Sequence, residues 1–140
     1  IRYELNDLLE IGGRDCSCGS AFRLIKRIHG RADSIFVLPG RFGETVRLMP
    51  DYVRRSINQA SSEIIEYQAI QHSLDLIEIR LAVTERADRS AIATAIRQNL
   101  EAWAERAGGQ IGSLRFSDTP PERDPGSHKL VRVVSRVAEQ

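Results

Sequence analysis

The chain has 140 residues, a formal net charge of +1, 41% hydrophobic residues and 28% charged ones. That suffices for one soluble domain with its own core, and the near-neutral balance gives no reason to expect nucleic acid as a partner. No apolar run approaches the roughly 20 residues of a membrane helix, and no signal peptide is visible.

The opening Ile1 in place of Met points to a fragment, such as an expressed domain. Cys16 and Cys18, one residue apart, make no disulfide framework, so a reducing cytoplasm is expected. Among the 20 basic residues only Lys26 and Lys129 are lysine. The positive surface is therefore built from arginine.

Residues 1–9 read as extended, with Tyr3, Leu5 and Leu8-Leu9 among polar neighbours, and Gly12-Gly13 breaks the run. Residues 14–19 form a tight cysteine-bearing loop. Residues 21–28 alternate well enough for a strand. Gly30-Arg31-Ala32-Asp33 is a joint, and Ile35 to Leu38 is a buried strand stopped by Pro39-Gly40. Residues 41–48 read as a loop.

Pro50 suits the first turn of a helix, with Asp51 favourable at its N-terminal end. Met49, Val53, Ile57 and Ala60 share one helical face. Residues 64–71 read as a strand with Ile65, Tyr67 and Ala69 on one face. After a turn at His72-Ser73, residues 74–83 alternate as its hairpin partner. Ser90 can cap the next helix. Its buried stripe is Ile92, Ile96, Leu100, Trp103 and Ala107, and Gly108-Gly109 ends it. Residues 111–116 form a strand, 117–127 a loop with three prolines, and 130–137 an apolar, β-branched run that closes the chain as a tail.

The order from Ser34 is β-α-β-β-α-β. That pattern predicts an α+β, ferredoxin-like small domain, an antiparallel sheet with two helices on one face, preceded by a short linker and strand segment. The fold by itself assigns no function.

Three short motifs carry more. Tyr3-Glu4-Leu5-Asn6-Asp7, then Gly30-Arg31-Ala32-Asp33, then Gly126-Ser127-His128-Lys129-Leu130-Val131-Arg132-Val133 follow one another across nearly the whole chain. In order and spacing they resemble the C-terminal part of the adenylate-forming (AMP-forming) ligases, closest to the phenylacetate–coenzyme A ligase branch. The resemblance implies that residues 1–32 end a large N-terminal adenylation domain and its linker, and that residues 33–140 form a mobile C-terminal lid. The parent enzyme would activate a carboxylic acid, expected to be aromatic, with ATP and magnesium, then transfer the acyl group to coenzyme A. Another amine or thiol is the alternative acceptor.

By the same resemblance Asp7 would accept hydrogen bonds from the ribose hydroxyls, and Arg31 would reach the nucleotide's ribose or phosphate. Asp33 would be the hinge whose torsions change between the two half-reactions. Lys129 would be the catalytic lysine, meeting the charge that develops on the carboxylate and α-phosphate. Three positions depart from the family pattern: Asn6 stands where glycine is usual, Ser34 replaces a second acidic residue, and His128 replaces the glycine before the lysine. The phosphate loop and acyl pocket belong to the large domain, so this chain alone should not catalyse.

Two other readings accompany this one. Cys16 and Cys18 can supply half of a tetrahedral zinc site, with His29 and His72 as unforced further ligands. The element order equally suits a non-catalytic ferredoxin-like module that binds a small molecule or a partner, although that leaves Asp7, Arg31 and Lys129 unexplained.

Overall fold

A computed structural model describes residues 7–13, 17–31, 34–126 and 128–137. Its elements are β1 (Asp7–Ile11), β2 (Ile25–Arg31), β3 (Phe36–Pro39), β4 (Thr45–Leu48), α1 (Pro50–Asn58), β5 (Ile64–Ser73), β6 (Leu76–Val83), α2 (Arg89–Arg106), β7 (Ser113–Ser117) and β8 (Val133–Ser135). The class is α+β, as the sequence predicts, with a strand segment ahead of a ferredoxin-like β-α-β-β-α-β order that gains two strands, β4 and β8. Among the described residues no helix is long and apolar enough to cross a membrane.

Period-two alternation sends Tyr67 and Ala69 of β5, and Ile77, Ile79 and Leu81 of β6, to one face of a four-stranded sheet. Both helices supply the matching stripes. Val53 and Ile57 of α1 and Ile92, Ile96, Leu100 and Ala104 of α2 join those strand residues in one buried cluster. Asn99 Nδ2 donates to the Ser56 carbonyl at 2.9 Å and ties the helices together.

Several expectations need correction. The sheet is mixed, not antiparallel: its order is β7-β6-β5-β8, with an antiparallel β5–β6 hairpin at the centre and a parallel strand on each side. Helix α2 carries the chain from β6 back to β7 in the same direction, which makes that pair parallel. Residues 41–48 are not all loop. Gly43, at a φ of 91°, turns the chain so that Thr45–Leu48 pairs with Phe36–Pro39. Strand β2 begins four residues later than the alternation of 21–28 suggests and runs through the joint to Arg31.

Ile65 does not share a face with Tyr67. A register shift between Ile64 and Glu66 lets it bulge outward, 65% exposed. The β5–β6 turn falls at Leu74-Asp75, so His72 and Ser73 belong to the strand. Asp88, not Ser90, caps α2, its carboxylate accepting from the Ala91 N–H at 2.9 Å. Ala104 takes the core position expected of Trp103, and Ala107 is exposed. Trp103 lies half-buried beside it, stacked on Tyr52 with ring centroids 4.4 Å apart. The closing run is not merely a tail: Val133–Ser135 forms a strand parallel to β5.

The β3–β4 hairpin has no ladder to the large sheet. A side chain substitutes for one. The Val37 N–H donates to Gln71 Oε1 at 2.9 Å, and Gln71 Nε2 donates back to the Val37 carbonyl. The Ser135 hydroxyl of β8 also donates to Gln71 Oε1, at 3.0 Å. Gln71 is fully buried. Gln71→Leu keeps the volume but strands both polar groups of Val37 away from water. We expect it to lower stability by about 2–4 kcal/mol, read from the urea unfolding midpoint. A loss near zero would mean that the hairpin is held by its apolar contacts alone.

Candidate functional site

The loop between β7 and β8 crosses the sheet face opposite the helices, and a buried side chain holds both its ends. Gln68 Oε1 accepts from the Glu122 N–H at 3.1 Å, while Gln68 Nε2 donates to the carbonyls of Glu122 (3.2 Å) and Val131 (3.1 Å). Arg123 adds an ion pair to Glu66. Within the loop the His128 N–H donates to the Asp124 carbonyl at 2.8 Å, and the Asp124 N–H to the Lys129 carbonyl at 2.9 Å. Lys129 is exposed on this clamped turn.

His128 has a φ of 55°. This left-handed conformation is the one a glycine adopts without strain. The residue before Lys129 thus keeps a glycine-like backbone although its side chain is histidine.

Lys129 lines a cleft of about 540 Å³ between the C-terminal half of α1, the start of β5 and residues 129–132. Arg54 and Arg132 line it too, and among the described residues no Asp or Glu does. Its floor is the buried Tyr67, whose ring carries the Arg132 guanidinium 5.7 Å from its centroid. Burial pushes the Tyr67 phenol up, while the charges of Arg132 and Arg54 and a hydrogen bond from Asn58 pull the other way. Such a cleft suits an anion.

A second cluster lies on the sheet face opposite the helices, the face the loop crosses, where Arg80 meets Glu122 of the loop at 3.0 Å. Glu78 is 3% exposed yet ionised. His72 Nε2 donates to its Oε2 at 2.7 Å, Arg115 to Oε2 at 3.1 Å, and Arg80 Nε to Oε1 at 2.9 Å. Burial alone would raise its pKa, but the hydrogen bonds from Arg80, His72, Arg115 and Ser117 outweigh it and hold the carboxyl at about 2. Arg136 donates to His72 Nδ1 at 3.3 Å, an arrangement that needs the neutral Nε2–H tautomer. Both oxygens of Glu78 are engaged, Oε1 by Arg80 and Oε2 by His72 and Arg115, so we read the group as structural.

The other residues singled out from sequence are dispersed. Asp7 and Arg31 are paired positions on the β1–β2 ladder, so the fold brings these two together across 24 residues of sequence. Asp7 is exposed. Asp33 lies outside the described residues, as does Cys16. Cys18 is exposed on its turn, and among the described residues no group of three or more His, Cys, Asp or Glu could hold a metal. His72 is committed to Glu78. Sequence reasoning missed Arg54, Arg132 and Gln68. Gln68 falls on the polar side of the strand's alternation, between Tyr67 and Ala69, so the sequence did not mark it, and nothing distinguished the two arginines from the other sixteen.

No protein-family model matches the chain, and no curated protein matches it in sequence. Solved structures do. One is 2-hydroxyisobutyryl-CoA ligase in the postadenylation state in complex with 2-HIB-AMP, with a TM-score of 0.50 and 21% identity over 93% of this chain and 27% of that one. The same ligase in complex with R3-HIB-AMP gives a TM-score of 0.49 at 20% identity over 93% and 27%. Its open conformation in complex with 2-HIB-AMP and CoA gives 0.44 at 22% identity over 92% and 27%. The first of these establishes a likeness of fold to part of a CoA ligase, and this chain spans about a quarter of that ligase's length.

The Glu78 cluster makes a pH prediction. Between about pH 4.5 and 2 the unfolded chain binds a proton at Glu78 that the folded chain does not, so stability rises with pH there. The contribution is complete above pH 4.5 and is lost as pH falls towards 2, on the order of 3 kcal/mol in all. Urea midpoints measured from pH 2.5 to 6 should show this slope in the wild type and a shallower one in Glu78→Gln. Equal slopes would mean that Glu78 is not the linked group.

Proposed function

We propose that the chain is the C-terminal lid region of an AMP-forming acid–CoA ligase, in or near the phenylacetate–coenzyme A ligase branch, acting in the cytoplasm. Residues 1–32 are then the end of the N-terminal adenylation domain with its linker, and residues 33–140 the lid. The observation that carries this reading is the setting of Lys129, the lysine singled out by the motif resemblance. It stands on a loop clamped at both ends and lines a cleft with two arginines. The likeness of fold to part of a CoA ligase supports the same reading.

In the first half-reaction a carboxylate oxygen of the acid attacks the α-phosphorus of ATP, and the bond to pyrophosphate breaks. In the second, a thiol of coenzyme A attacks the acyl carbon and AMP leaves. The ammonium of Lys129 meets the negative charge that grows on the α-phosphate and carboxylate oxygens as the first bond forms. Its long stem lets it reach a site on another domain. Asp7 accepts from the ribose hydroxyls, Arg31 steadies the nucleotide, and Asp33 absorbs the torsion change that turns the lid between halves. Magnesium, in this reading, enters with the phosphates of ATP.

Lys129→Ala in the full-length enzyme is expected to slow acid-dependent pyrophosphate exchange by about a hundredfold or more. Thioester formation from supplied acyl-adenylate should change far less. Equal loss in both assays would contradict the role given to Lys129.

A further inference from the structure

The loop that carries Lys129 is fastened more firmly than an exposed connection requires. Two of its links to the sheet are ion pairs, Arg123 with Glu66 and Arg80 with Glu122, in which Arg123 and Glu122 stand largely in water. Pairs of that kind contribute little. The third link is Gln68, 7% exposed. Its amide commits both donors and one acceptor lone pair to the backbone of Glu122 and Val131. It takes the N–H and the carbonyl of the same residue, Glu122, as a paired strand residue would.

The links are nested. Gln68 closes the loop between Glu122 and Val131. Inside that closure the Asp124 N–H donates to the Lys129 carbonyl at 2.9 Å, and the His128 N–H to the Asp124 carbonyl at 2.8 Å. The lysine backbone is thus tied to Asp124 just after one clamped residue and stands just before the other. The pairing of the last strand begins beyond it, where the Ala69 N–H donates to the Arg132 carbonyl at 2.8 Å. That pairing does not need Gln68, whereas the Glu122 end of the loop has no other buried polar link to the sheet among the described residues.

We propose that Gln68 is the positioning residue for Lys129: its amide fixes the loop from the sheet side, so that the ammonium stands at one place relative to β5. This rests on the ligase reading of Lys129. A displacement of about 1 Å at a reacting centre can slow a reaction on the order of a hundredfold. Gln68 touches no reacting atom, so its loss is felt only in the half-reaction that uses the lysine.

The test is Gln68→Met in the full-length enzyme, alone and combined with Lys129→Ala. Methionine keeps the length of the side chain and removes both amide donors and the carbonyl acceptor. Acid-dependent pyrophosphate exchange should fall about tenfold or more, while thioester formation from supplied acyl-adenylate stays within about twofold. In the Lys129→Ala background the same substitution should change exchange by less than about twofold, because an absent lysine cannot be misplaced. In the 140-residue chain, hydrogen exchange at the Glu122, Asp124 and His128 amides should quicken about tenfold or more, with the amides of α2 and of the β5–β6 hairpin unchanged. Two glycines inserted after Gly126 lengthen the turn inside the clamp and leave Gln68 and the core untouched. They should produce the same split between half-reactions, which keeps the proposal testable if Gln68→Met unfolds. Equal loss in both half-reactions, or losses that multiply with Lys129→Ala, overturn the positioning role and leave the ligase reading standing. Pyrophosphate exchange untouched by Lys129→Ala overturns both.

Discussion

The side-chain amide of Gln71 pairs with the backbone of Val37 as a neighbouring strand would. It is the polar link that ties the short β3–β4 hairpin to β5, since the position beside β5 that a first strand could fill is taken by β8, while Phe36, Leu38 and Leu48 supply the apolar anchorage. A side-chain amide presents an N–H donor and a C=O acceptor side by side, as a peptide group does. Fully buried, it leaves no route for water to compensate if either bond is lost.

Strand β5 holds a second glutamine, Gln68, three residues away and on the opposite face. It grips both ends of the Lys129 loop. The hairpin that follows the joint at Ala32-Asp33 and the loop that presents the lysine are therefore fastened to one central strand. Lys129 is thereby fixed relative to β5. In the proposed lid role, which asks one ammonium to meet a site built elsewhere, such rigidity is what the reading requires.

Much of this was legible in the sequence, for particular reasons. The stripes of α1 and α2 and the alternation of β6 follow from burying one face, so their positions came through directly. Strand β4 did not, because Gly43 dominated a segment whose Val46 and Leu48 do alternate with Thr45 and Arg47. Ile65 was misplaced because a bulge reverses the facing of one residue without changing composition. Parallel pairing of β7 and β8 is decided by how the connections return, which local pattern does not encode. At the site, a lysine in an arginine-rich chain drew notice by its rarity. Arg54 and Arg132 did not, since only the tertiary structure selects them from eighteen arginines.

The central claim is that these elements serve adenylation. The most direct measurement is exchange of labelled pyrophosphate into ATP by the full-length polypeptide, run across a panel of aromatic and aliphatic carboxylic acids. The account predicts exchange that requires one of the acids, strongest within the aromatic set. No exchange with any acid, together with no binding of ATP, would contradict it and leave the chain as a ferredoxin-like module without this chemistry.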